Sequence, residues 1–182
     1  MRSGRIKMQM YFSALAIFNA LYSAVPSFMM RKLMLTATGS RIGMGSSVHG
    51  GVRFFGFGRI TVGDHSTVNR DCFLDNRGSI RIGNNVSVSH GCKIYTAGHD
   101  YNDPEFAVTC RDVVIEDYAA LFAHVMLMPG VTVGRGAVVF PGSVVTKNVE
   151  PFAVVGGNPA RVIKKRKTDM TYTIDYRYFH AL

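Results

Sequence analysis

Histidine is the side chain best suited to take a proton near neutral pH, because its unperturbed pKa is about 6.5. The sequence holds six, and His99 has the setting such a role needs. It lies in Tyr95-Thr96-Ala97-Gly98-His99-Asp100, opening a polar stretch with Asp103, Pro104, Glu105 and Arg111. A base there would deprotonate an approaching hydroxyl or amine, and Asp100 beside it would bind that acceptor or hold the loop. Taken alone, the residue also fits a surface histidine at a turn. His65, His90 and His124 fall within a regular repeat, at outward-pointing positions that suit solvated residues, and His49 and His180 carry no signal. No serine or cysteine stands in a nucleophile context beside His99, so the expected chemistry is direct transfer without a covalent enzyme intermediate. Neither C-x-x-C nor His-x4-His occurs, so no metal site is expected.

A repeat must position His99. Ile42-Gly43, Val62-Gly63 and Ile82-Gly83 stand 20 residues apart, and Ile115-Glu116 and Val133-Gly134 stand 18 apart. Within a unit the period is six, as in Val133, Val139 and Val145, with Ala137, Ser143 and Val149 at the small position. Such self-similarity predicts a solenoid whose units cannot bury their apolar faces alone. Eighteen to 20 residues make three short strands and three corners, one triangular turn, with turns stacked about 4.8 Å apart. The period itself does not choose a hand; parallel crossovers are normally right-handed. Cys72 and Cys92, 20 apart, fall at the small position and read as stacked core residues in a reducing compartment, while Cys110 lies outside the repeat. Ile82 and Ile115 are 33 apart instead of 18 or 20, so an extruded loop over 99–112 is predicted. Insertions in rigid solenoids are where function concentrates.

At 182 residues, 47% hydrophobic and 18% charged, the chain fits one ordered domain. Its net charge of +9 favours a polyanionic partner: nucleic acid, an anionic membrane surface or a phosphate-bearing cofactor. Charge alone supports nucleic acid, without a recognisable motif, so no nucleic-acid role is expected. Residues 1–40 form a separate helical, amphipathic segment. Met10 to Met30 carries no charge, is long enough to span a bilayer, and contains Asn19, three serines and the helix-breaking Pro26. Phe12, Ala16, Ile17, Leu21 and Ala24 recur at helical spacing. Three readings follow: a helix docked on the protein or a partner subunit, a helix in the membrane interface with residues 1–32 on lipid, or a span or signal segment. The coil occupies 41–163. A basic and aromatic tail, 164–182, is expected as a helix or as irregular packing on the last turn, with Tyr172, Tyr176, Tyr178 and Phe179 its aromatic residues.

The hexapeptides, together with the stretch from Pro129 to Ile163 that ends in Gly156-Gly157-Asn158-Pro159-Ala160-Arg161, resemble the hexapeptide-repeat acyltransferases over about 41–166. The resemblance is strongest to sugar and polysaccharide O-acetyltransferases. It implies a mainly β fold, a left-handed parallel β-helix assembled as a homotrimer. It further implies acetyl-CoA as acyl donor and a sugar hydroxyl of a cell-surface glycan or its precursor as acceptor. The enzyme would be cytoplasmic, at the inner face of the membrane if the N-terminal helix lies on lipid. His99 takes the catalytic position. Asn69, 30 residues earlier, and Asp75, Asn76 and Asp100 take acceptor-binding positions, with Arg77 standing where relatives carry an acid. Ala123, Pro141 and Gly142 would line the pantetheine arm, with Thr146 and Lys147 further along and Arg161 and Lys164 at the nucleotide phosphates. His124 lies closer to that acyl-CoA groove than the other repeat histidines. Two departures stand in that groove: Ala120 and Phe122 replace the usual Trp and Gly of one hexapeptide. N-acylation of an amino sugar and a non-catalytic scaffold remain as competing functions.

Overall fold

The computed structural model describes residues 2–167 and 170–175; Tyr176, Tyr178, Phe179 and His180 lie outside them. Two helices, α1 (Arg2–Ala24) and α2 (Phe28–Ala37), precede a left-handed parallel β-helix of about six turns. Pro26 separates the helices as expected, and the Ser27 side chain caps α2 by accepting from the Met30 N–H.

The spacing of the sequence is the register of the sheets. On the first face Ile42 pairs with Val62, Val62 with Ile82, Ile82 with Ile115 and Ile115 with Val133. The second face stacks Val48, Val68, Val88, Leu121, Val139 and Val155, and the third stacks Phe54, Leu74, Ile94, Leu127 and Val145. These side chains point inward and form one continuous core. Each fully buried Val, Leu or Ile contributes roughly 1.5–3 kcal/mol, so the stack is self-supporting only as an array. Cys72 and Cys92 lie inside it, buried on successive turns, and Cys110 is exposed, as the repeat implied.

A stack of parallel strands leaves unpaired backbone groups at both ends, and the flanking segments take them up. Beneath the first turn, the Asn19 amide donates to the Phe54 carbonyl and accepts from the Phe54 N–H. Tyr22 Oη and Arg31 Nε both donate to the Val48 carbonyl, and Lys32 Nζ donates to that of Gly43. The N-terminal segment is therefore docked on its own coil. Burial of Tyr22 pushes its phenol well above the ordinary tyrosine range, so it stays a donor. At the upper end, Arg161–Lys165 pairs antiparallel with Ala153–Gly156, so the tail begins as a strand and not as a helix. It then descends the corner between the first and second faces. Arg166 Nη1 donates to the carbonyls of Tyr118 and Gly136, and the Ile174 N–H donates to Asn85 Oδ1.

His49, given no role by the sequence, is buried against the Phe28 ring. Burial first, then the Arg31 and Arg70 cations, lowers its pKa from 6.5 to about 4. The unfolded chain thus takes up this proton near 6.5 and the fold only near 4, so acidification through that window favours unfolding. Urea titrations should show His49 contributing up to about 3 kcal/mol of stability loss between those pH values, with a flatter profile in His49→Gln.

Candidate active site

The interruption between Ile82 and Ile115 is a β-hairpin. Ala97–His99 pairs antiparallel with Val108–Cys110, in the register Ala97 with Cys110 and His99 with Val108. The buried Thr96 anchors it: its hydroxyl donates to the Asp75 carbonyl and accepts from the Gly78 N–H, while the Arg111 N–H closes onto the Thr96 carbonyl. Val113 then resumes the ladder opposite Ile80, so the insertion leaves the coil in register.

His99 is held by its own hairpin. Its Nδ1 lies 2.6 Å from the Phe106 carbonyl, and its ring stacks on the Phe106 ring with centroids 4.3 Å apart and planes within 10°. A carbonyl can only accept, so Nδ1 carries the proton and Nε2 presents its lone pair. Phe106 has a left-handed backbone, φ 50°, which turns its carbonyl toward the ring. An open cleft of about 550 Å³ surrounds the imidazole, lined by His99, Asp100, Tyr101, Asn102, Thr109 and Arg111. Asp100 does line it, and its carboxylate also accepts from the Asn102 N–H, holding the turn.

The remaining acceptor candidates are not gathered here. Asn76 is buried, its amide donating to the carbonyls of Gly56 and Gly58 and accepting from the Gly56 N–H. That set fastens one turn to the next and engages both ends of the Asn76 amide. Asp75 is also buried and holds Arg77 in a two-pronged ion pair, Nε to Oδ1 at 2.9 Å and Nη2 to Oδ2 at 2.7 Å. The carboxylate is thereby spent on its neighbour, and the Arg77 guanidinium, over the Phe55 ring at 4.7 Å, is the polar group this pair shows to solvent. Asn69 donates to the Val88 carbonyl at the corner before the third face, whereas His99 follows that face. Within one chain they are on the order of 20 Å apart, the length of a six-residue strand.

The donor-side candidates form two groups. Ala123, Pro141 and Gly142 share the corner before the third face, where the Gly142 N–H donates to the Ala123 carbonyl. Gly142 has φ 68° and open space where a side chain would stand. Phe122 stacks on Phe140 beside this corner. His124 belongs to the same corner, edge-on to His90 at 5.4 Å. At the top of the coil, Lys147 and Arg161 line one cleft of about 280 Å³ with Asn148 and Glu150, and Thr146 and Lys164 are exposed nearby. Two cations at the end of a groove suit phosphate groups. Sequence reasoning assigned no role to Thr96 and Arg111, which stand in the stretch around His99, and did not single out Phe106 or Thr109. The alternation in Val108-Thr109-Cys110 was the available signal for the second hairpin strand.

WcaF of Escherichia coli K12, named for acetyl transfer in colanic acid biosynthesis, is 31% identical over 161 residues, 88% of each chain. The chain belongs to the hexapeptide-repeat acetyltransferases. The hexapeptide-repeat acetyltransferase VCA0836 of Vibrio cholerae, solved with acetyl coenzyme A, matches with a TM-score of 0.80 and 26% identity, covering 89% of this chain and 90% of that one. A maltose O-acetyltransferase of Clostridium difficile 630 matches with a TM-score of 0.76 and 28% identity, covering 87% and 88%. No family model matches the sequence. In this acetyltransferase Asn76→Ala should lower stability by about 2–3 kcal/mol in urea unfolding while leaving KM for the acceptor unchanged. A raised acceptor KM at unchanged stability would restore Asn76 to the site.

Proposed function

We propose that this acetyltransferase moves an acetyl group from acetyl-CoA to a hydroxyl of a sugar in a cell-surface glycan or its precursor, with His99 as general base. The observation that carries the reading is the Nδ1 bond to the Phe106 carbonyl, which leaves Nε2 as the free acceptor in the cleft. Nε2 takes the hydroxyl proton as the acceptor oxygen attacks the thioester carbonyl. The tetrahedral intermediate collapses, the C–S bond breaks, and the imidazolium returns its proton to the departing sulfur. No acyl-enzyme is required, since the oxygen attacks the thioester directly.

The sugar acceptor is supported by the names of the similar proteins, a colanic acid biosynthesis acetyltransferase and a maltose O-acetyltransferase. Acetyl-CoA as donor is supported by its presence in the similar Vibrio structure and by the paired Lys147 and Arg161 at the top cleft. We further propose that Ala123, Pro141 and Gly142 flank the pantetheine, and that Thr146, Lys147, Arg161 and Lys164 serve the nucleotide end. A homotrimer would set Asn69 of one copy against His99 of another, which a single chain does not do.

Purified protein supplied with acetyl-CoA and a panel of sugars and amino sugars, followed by release of free thiol, tests the acceptor class. His99→Ala should lower turnover by about 10²–10⁴-fold with acetyl-CoA binding and assembly size unchanged. Full activity in that variant refutes the role of His99, and turnover confined to amino sugars replaces O- by N-acetylation.

A further inference from the structure

Both helices present a second apolar face that the coil does not use. On α1, Leu15, Phe18, Asn19 and Tyr22 face the first turn. Ile6, Met10, Ile17 and Leu21 recur at spacings of four and seven on the opposite side, each more than half exposed. On α2, Arg31 and Leu35 are buried, while Met29, Met30 and Leu33 are each more than half exposed. Because Asn19, Tyr22, Arg31 and Lys32 bind the lower backbone edge of the first turn, both helices lie beneath it. Their outward faces therefore form the base of the prism, looking away from the turns above.

The charge around this base is one-sided. Residues 1–63 contain eight Lys and Arg and no Asp or Glu, and so hold eight of the nine net positive charges of the chain. Arg31 is buried and Lys32 is engaged with Gly43, but Arg5, Lys7, Arg41 and Arg53 are exposed. Apolar side chains bordered by cations are the pattern of a surface that lies in the interface of an anionic bilayer. A second copy is a poor occupant, because two such bases would meet with like charge, the nearest acids being Asp64, held by the Met44 N–H, and Asp71, in a cleft with Arg31 and Arg70. Among the described residues no helix is long and apolar enough to cross a membrane, so the contact lies on the bilayer and does not span it.

We infer that the base formed by α1 and α2 docks on an anionic lipid surface, with Ile6, Met10, Ile17, Leu21, Met29 and Leu33 entering the acyl boundary and the exposed arginines and lysine on lipid phosphates. The reading is independent of the acceptor assigned above, and its test does not use activity. The full chain is floated with vesicles of phosphatidylcholine plus phosphatidylglycerol, and with vesicles of phosphatidylcholine alone, at low and high salt. Binding should require phosphatidylglycerol and weaken with salt. The double variant Ile17→Glu, Leu21→Glu should bind at least about tenfold more weakly. Both positions face away from the coil, and an unchanged thermal midpoint with an unchanged circular dichroism spectrum confirms that the variant is folded. Absence of binding by the wild-type chain, or equal binding by the folded variant, overturns the inference. So does a wild-type assembly that the variant dissociates, since the stripe is then covered by another copy.

Discussion

Every feature of this molecule answers to the hydrogen-bond ladder between turns. In a parallel coil each strand residue gives its backbone groups to the turn above and the turn below, leaving only the first and last turns with an open edge. The lower edge is closed by side chains, Asn19 on Phe54 and Tyr22 with Arg31 on Val48, so the helices are bound by polar bonds that water would otherwise satisfy. The upper edge is closed by backbone, through the antiparallel return of Arg161–Lys165. The different solutions have different consequences. Side-chain caps let a helix pair lie flat under the coil, whereas a backbone cap sends the chain back down the outside as a tail.

The same ladder dictates where chemistry can be inserted. Extra residues within a strand would break pairing on two turns, but a corner can be opened if its two ends are refastened. Thr96 and Arg111 do this, and the coil resumes at Val113 opposite Ile80 as though nothing intervened. The inserted hairpin then provides what the coil cannot. Strand carbonyls in the stack are already engaged, whereas the Phe106 carbonyl, on a loop with left-handed backbone, is available to fix a histidine tautomer. The rigid array supplies the platform, and the irregular element fixes the orientation of the His99 ring.

That division explains what could be read from the sequence. Core positions obey a strict period because each inward side chain must sit above another of its kind, so offsets of 20, 20, 33 and 18 translate directly into the observed strand register. The hairpin that carries His99 was legible because the period fails there. Asn76 was expected at the acceptor because a polar residue at a corner resembles a ligand-binding group; its amide bolts one turn to the next. Asp75 was expected there for a similar reason, and its carboxylate is held by Arg77. The part played by Phe106 was not legible at all, since a backbone carbonyl has no sequence signature. The helices' docking was left open because α1 is apolar on two sides, and hydropathy alone does not say which side meets protein.

One chain does not make a closed site. His99 is exposed, and its cleft is open on the side away from the hairpin. Acyl transfer through a charged tetrahedral intermediate gains from donors in a water-poor setting, where each electrostatic contact is stronger. The coil cannot offer that wall from its own third face, because Asn69 lies at the far end of it and Asn76 and Asp75 are committed to structure. The missing wall must come from the bound substrates or from a second copy of the chain. In the proposed homotrimer a second copy would supply it, the corner bearing His99 meeting a neighbour's corner that bears Asn69, Ala123 and Gly142. Lateral packing of that proposed kind would leave the base of each prism free, so the proposed intersubunit site and the inferred lipid contact would not compete for the same surface.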